Sequence, residues 1–200
     1  MLDMQDEMNR HVDEDWLERG REWYRAIWIE CAELMDHYGG WKWWKHSTPD
    51  LDQAMLELVD IWHFGLSLEL ARGAARRDIA TAIVTAWQAP PPALEFLVEV
   101  ERLAGAALAD RRFAVGSVAN LVAACGRDFD DLYRTYVAKN VLNVFRQDHG
   151  YRSGTYAKTW GGREDNVVLA ELLGSLDSDA ADFRARVYAA LEQAYAALEP

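Results

Sequence analysis

Residues 54–68, Ala54-Met-Leu-Glu-Leu-Val-Asp-Ile-Trp-His-Phe-Gly-Leu-Ser-Leu, form a run that is apolar on nearly every side yet carries two carboxylates. The stretch is longer than an ordinary strand and has no alternation, so it reads as a buried helix. Pro49-Asp50 opens it and it extends to about Arg72. Glu57 and Asp60 are three residues apart and therefore share a face of that helix. On an apolar helix neither can easily escape to water. An unpaired buried carboxylate costs several kcal/mol, and a divalent cation is one of few ways to offset that. No basic residue in this helix precedes Arg72, although a partner from another helix could take its place.

Upstream, Ile29-Glu-Cys-Ala-Glu-Leu supplies a second pair at the same spacing, Glu30 and Glu33. Its helix is expected to begin between Trp16 and Gly20, run to about Tyr38 and stop at Gly39-Gly40. If the two helices pack antiparallel across the Trp41–Thr48 loop, four carboxylates converge. Hard, oxygen-only ligation of that kind suits Mg²⁺ or Mn²⁺. With 33 acidic residues in 200, chance alone yields on the order of five acidic i, i+3 pairs. The apolar surroundings, more than the spacing, single these out.

The rest of the chain is also helical, and the fold class is all-α. A short helix covers roughly Leu2 to Val12, another Phe129 to Asp148, a short one starts at Glu164, and the last runs from about Asp179 to Leu198 with Phe183, Val187, Leu191 and Leu198 inward. Residues 73–130 are alanine-rich, broken at Pro90-Pro91-Pro92, and carry no legible chemistry; they read as packing or dimer surface within one domain spanning residues 1–200.

A formal charge of −12 argues against binding nucleic-acid backbones. The acidic N-terminus has neither the basic start nor the apolar run of a signal peptide, and no stretch is long and apolar enough for a membrane span. Cys31 and Cys125 form no CxxC pair. Together these point to the cytoplasm.

The ordered blocks resemble those of the dimeric all-α dUTPases, within the all-α NTP pyrophosphohydrolases. Met4-Gln5 through Met8-Asn9 is similar to the family's N-terminal LQxxLN element. Ala26–Asp36 and Trp41-Lys-Trp-Trp-Lys resemble the first metal helix and WKxWK loop, and Leu56–Ser67 the second metal helix. Lys139-Asn-Val-Leu-Asn-Val-Phe-Arg, Gly150-Tyr, Gly154-Thr-Tyr-Ala-Lys and Glu164-Asp-Asn resemble the phosphate-binding signature.

The resemblance implies Mg²⁺-dependent hydrolysis of dUTP, and of dUDP, with release of dUMP and pyrophosphate from dUTP by attack at the β-phosphorus. Glu30, Glu33, Glu57 and Asp60 would be the metal ligands, with Glu30 also activating water. Gln5, Asn9 and Trp41 would face the uracil, Phe64 would stack on it, and Asn140 or Asn143 would contact the sugar. Lys42, Lys45, Lys139, Arg146, Arg152 and Lys158 would meet the phosphates, with Tyr151, Tyr156 and Asn166 as hydrogen-bond donors. Arg152 stands where the family often has lysine, which changes contact geometry but not the sign of the charge. A homodimer is expected. Trp43, Trp44 and Trp62 read as core or dimer packing and His63 as a hydrogen-bonded structural histidine. Two rival readings remain: a related pyrophosphohydrolase acting on dCTP or another nucleotide, and a dimer that binds nucleotide without hydrolysing it.

Overall fold

The computed structural model describes residues 1–197. Two long antiparallel helices form its axis, α2 (Trp23–Tyr38) and α3 (Leu51–Ala71), and their contact is the most extensive between any two elements described. The hydrophobic run that marks α3 has its physical counterpart here: thirteen of its residues are buried, among them Leu58, Val59, Ile61, Trp62 and Leu66. Asp50 caps its start, accepting a hydrogen bond from the Gln53 amide. The connection back from α2 depends on Gly39, whose φ of 76° is left-handed and where a Cβ would fall 2.3 Å from Ser47 Oγ.

α1 (Leu2–Val12) and α7 (Phe129–Asp148) pack on one side of α3. A capping box of Asp128 and Asp131 fixes the first turn of α7. On the other side, α4 (Arg76–Gln88), α5 (Phe96–Asp110) and α6 (Val115–Ala124) cover α2 and α3, with the expected break across Pro90–Pro92. α8 (Asp165–Leu173) and α9 (Phe183–Ala196) close over α7. One continuous apolar cluster runs through all these layers, from Ile27 through Trp62, Ile83, Leu103 and Phe145 to Leu191. The fold is all-α. No described helix is long and apolar enough to cross a membrane. Cys31 and Cys125 are both buried and free.

Three boundaries differ from expectation. Residues 14–20 form turns, and α2 begins only at Trp23. Trp16 accounts for this: its ring is buried and its Nε1 donates to Asp6 Oδ1 at 2.9 Å, so α1 holds it away from the α2 axis. α9 starts at Phe183, not Asp179, after a turn in which the Asp177 side chain accepts from the Asp179 amide. Between residues 150 and 162 the loop ends in a two-residue ladder, β1 (Thr159–Trp160) with β2 (Arg163–Glu164), turned by Gly161 and Gly162 at positive φ. Leu198, expected on the inner face of the last helix, lies outside the described residues.

Candidate active site

The i, i+3 spacing on α2 and α3 brings three of the four predicted metal carboxylates together. Glu30, Glu33 and Glu57 each offer an oxygen within 4.8 Å of the others. Glu57 is buried, Glu30 half-buried and Glu33 at the rim. Burial, the charge of Asp60 and a hydrogen bond with Glu57 push the Glu30 carboxyl up to about 8. Glu57 is likewise raised, first by burial and then by Asp60, with Lys139 and His37 opposing. Its Oε1 lies 3.4 Å from His37 Nε2. Negative charge is therefore crowded here beyond what neighbouring cations neutralise, and all the donors are hard oxygens. Such a set fits Mg²⁺ or Mn²⁺ and would not suit a soft ion.

Asp60 is close enough to raise both glutamates, but its own Oδ2 takes a 2.9 Å ion pair from Lys139 Nζ. That lysine, expected to meet a phosphate, is almost wholly buried and reaches across from α7 to the metal face. The partner from another helix left open by the sequence is thus Lys139, and it answers for one carboxylate of four.

Gln5 and Asn9 sit below this face in a buried polar network joining α1, α3 and α7. Gln5 Nε2 donates to Asn9 Oδ1 (3.1 Å) and Ser67 Oγ (3.0 Å). Gln5 Oε1 lies 2.7 Å from His63 Nδ1 and accepts from the Tyr136 hydroxyl at 3.2 Å. Asn9 Nδ2 donates to the same Ser67 oxygen at 2.9 Å. Both hydrogens of the Gln5 amide and both of its acceptor positions are thereby engaged within the protein, whereas Asn9 keeps a free hydrogen. His63 is the structural, hydrogen-bonded residue expected of it, stacked on Tyr136 at 4.4 Å. Burial holds its imidazole down at about 4. Two buried atoms of this region lack a partner, His63 Nε2 and Asn140 Oδ1. Orphaned buried acceptors are uncommon, and both of these atoms are closed off from solvent in this structure. Phe64 stacks on Trp23 with centroids 6.2 Å apart.

Further along the same face of α7, one and two turns beyond Lys139, the predicted phosphate residues converge on a group that its own local sequence does not single out. Arg146 donates from Nε to Asp165 Oδ2 and from Nη2 to Asp165 Oδ1, both at 2.8 Å. It also donates to Asn143 Oδ1 and Asn166 Oδ1, each at 3.1 Å. The Tyr156 hydroxyl donates to Asp165 Oδ2 at 2.7 Å. Asn143 thus faces the arginine rather than standing apart for a sugar. Tyr151 is half-exposed beside the Arg146 guanidinium. Arg152 reaches back to the Val12 carbonyl, and Lys158 lies 3.5 Å from Glu164 at the surface. Asp165 falls in the quoted Glu164-Asp-Asn block, which was the available signal. Ser67 and Tyr136 gave none.

The Trp41–Lys45 segment makes no hydrogen bond to either cluster among the described residues. Trp41 Nε1 and Lys42 Nζ both donate to Asp36 Oδ1, at 3.0 and 2.6 Å, and Lys45 is exposed. Trp62 is fully buried, as expected of core, but Trp43 and Trp44 are 87% and 63% exposed and belong to no core of this chain. A separate cavity of about 570 Å³ between α3, α4 and α6, lined by Arg72, Ile83 and Phe113 among others, contains none of the predicted residues.

Comparison with known families sorts these observations. A family model for dUTPases, of the dimeric all-α kind, matches residues 1–151. The chain belongs to the dUTPase family. It is a nucleoside triphosphate pyrophosphohydrolase, a dUTP diphosphatase, whose substrate is a small nucleotide. A search of curated proteins found no match. The dUTPase match takes in the carboxylates, the Gln5–Asn9 network, Lys139 and Arg146. It ends at Tyr151, before Tyr156, Lys158, Asp165 and Asn166.

Proposed function

We propose that this dUTPase hydrolyses dUTP to dUMP and pyrophosphate, and accepts dUDP, with Mg²⁺ held by Glu30, Glu33, Glu57 and Asp60 and with Mn²⁺ able to replace it. The convergence of Glu30, Glu33 and Glu57 within 4.8 Å, without a basic side chain paired to Glu30 or Glu33, carries this reading. A bound divalent cation would neutralise charge on the phosphates and make a nearby water more acidic. Glu30 takes that water's proton as its oxygen bonds to the β-phosphorus, and the bridging oxygen leaves with dUMP. A carboxylate that a bound cation would keep ionised, beside water the cation would acidify, suits that role.

Asn9 and Asn140 present free polar groups to the uracil and sugar, with Trp41 and Phe64 as the apolar walls of the pocket. Gln5 supports them from behind. Arg146, Tyr151, Arg152, Lys158 and Asn166 bind the phosphates, joined by Lys42 and Lys45 from the α2–α3 loop, while Tyr156, whose one hydrogen goes to Asp165, anchors the 150–162 loop. Lys139 tempers Asp60 and stands one turn of α7 from Asn143 on the way to the phosphate end. The active protein is a homodimer of single-domain chains working in the cytoplasm, and the exposed Trp43 and Trp44 are available for contact with the second copy.

Incubation with dUTP and Mg²⁺, followed by separation of products, tests the reading. dUMP and pyrophosphate are expected, with turnover lost on chelation and restored by Mg²⁺. Release of orthophosphate and dUDP would overturn it, and a panel with dCTP, dTTP and UTP fixes the base.

A further inference from the structure

We propose that Asp165 is the positioning residue of the phosphate end: it sets the plane of Arg146 and, by accepting the one hydrogen of the Tyr156 hydroxyl, anchors the 150–162 loop before substrate arrives. The inference rests on the reading of Arg146 as a phosphate-binding group and adds to it the residue through which it is ordered.

The argument begins with counting donors. A guanidinium has five N–H groups in a rigid plane. In Arg146 the Nε–H and one Nη2–H go to the two Asp165 oxygens, the other Nη2–H to Asn166 and one Nη1–H to Asn143. One Nη1–H remains. Four planar contacts leave the guanidinium no rotational freedom, so that hydrogen has one direction. Asp165 Oδ2 also accepts from Tyr156, which ties the 150–162 loop to the same carboxylate. The Asp165 amide donates to the Lys158 carbonyl at 3.0 Å, so the residue fixes the backbone beneath the predicted phosphate lysine as well. One side chain and its amide thereby connect α7, the loop and the first turn of α8.

Burial makes the arrangement specific. Asp165 is fully buried and the Arg146 side chain is 12% exposed. A buried carboxylate would be a poor neighbour for an anionic ligand unless its charge were fully matched. The bidentate pair does that, and the Arg146 hydrogen bonds hold Asp165 in its ionised form against the effect of burial. Arg146 therefore contributes direction, while net positive charge comes from Arg152 and Lys45, since Lys42 and Lys158 already lie beside Asp36 and Glu164. Asp165 itself touches no reacting atom.

Asp165→Asn tests this, because it keeps the shape but cannot hold the fork as a carboxylate does. The KM for dUTP should rise about tenfold, with kcat within about threefold. Inhibition by deoxyuridine, which has no phosphates, should be unchanged. Binding of inorganic pyrophosphate, followed by calorimetry, should weaken in parallel with the KM. In a double-mutant cycle, Arg146→Ala with Asp165→Asn should lose less dUTP affinity than the product of the two single losses, because the aspartate acts mainly through the arginine and otherwise only through the loop it anchors. Losses that multiply, an unchanged KM, or an equal loss of deoxyuridine affinity would each overturn the proposal. If Asp165→Asn does not fold, Asp165→Glu serves on the same axis: an intermediate KM supports the role and a wild-type KM refutes it. Absence of dUTP turnover in the wild type would instead sink the reading of the reaction, and the pyrophosphate measurement would still decide the role of Asp165.

Discussion

The two ends of the proposed site solve the problem of buried charge in opposite ways. On α2 and α3, Glu30, Glu33, Glu57 and Asp60 crowd together with only Lys139 and His37 to answer them, and the Glu30 carboxyl is held up at about 8. At the α7–α8 junction Arg146 and Asp165 match charge for charge, and Asp165 stays ionised below the usual carboxylate range. On the proposed function, the first region is completed by an added cation. The second is complete as folded. A metal centre tolerates strain in its empty state because binding relieves it, whereas a phosphate cradle gains by being rigid beforehand.

The sharpest way to break this contrast is Glu30→Gln. If the acidic end supplies the chemistry, kcat falls about 10³-fold while dUTP affinity survives, since three carboxylates remain. A steady-state assay beside equilibrium binding decides, and undiminished turnover would remove Glu30 from its role.

Arg146→Ala attacks the other end. It strands a fully buried carboxylate, and breaking such a pair costs about 3–5 kcal/mol. Urea unfolding should show that loss, and the further change Asp165→Asn should restore part of it. Removing Glu33 from the crowded end should instead leave metal-free stability unchanged or raised.

Acid titration separates the regions again, and its sign needs care. His63 is held neutral, at about 4, against an unfolded value near 6.5. Between those values the unfolded chain binds the proton and the folded one does not, so the His63 contribution is intact above pH 6.5 and falls as pH drops toward 4. Over that window it amounts to roughly 3 kcal/mol. Glu30 works the other way: raised to about 8, it binds its proton in the folded state first and favours folding as pH falls from 8. The two slopes oppose each other in the metal-free protein. The difference between wild type and His63→Gln, unfolded in urea at pH 7 and pH 5, isolates the histidine: the variant should lose less stability on acidification.

What the sequence disclosed and what it withheld follow the same division between local and distant. α3 and α7 could be placed almost to the residue, because Asp50 and Asp128 cap them and their apolar periodicity is strong. The two carboxylate pairs were visible because i, i+3 spacing is a property of one helix. Whether each carboxylate is neutralised was not, since Lys139 lies 79 residues from Asp60 and meets it only through the packing of α7 on α3. Asp165 stood in a recognised block, but its significance depends on Arg146 from another helix. The late start of α2 was hidden for a similar reason: nothing near Trp16 in the chain shows that Asp6 will hold its indole.

The smallest expected effect concerns the segment between α2 and α3, where two of the tryptophans read as core or dimer packing lie outside the core of the single chain. Trp43 and Trp44 meet edge to face at 5.3 Å, Trp44 also meets Trp41 edge to face at 5.9 Å, and both Trp43 and Trp44 stand largely in solvent. A buried tryptophan replaced by a small residue costs about 3–5 kcal/mol, and Trp62 should behave so. An exposed one has no cavity to leave behind, and Trp43→Ser should shift monomer stability by less than about 0.5 kcal/mol. Its effect belongs instead to whatever covers the loop. If the second copy does, the dimer dissociation constant measured by sedimentation rises while the unfolding midpoint of the dissociated chain stays put. If the nucleotide does, the KM rises at unchanged oligomeric state. A large loss of monomer stability would mean that these rings pack in solution where the structure leaves them open, and the contrast between rigid core and exposed loop would fail at its clearest point.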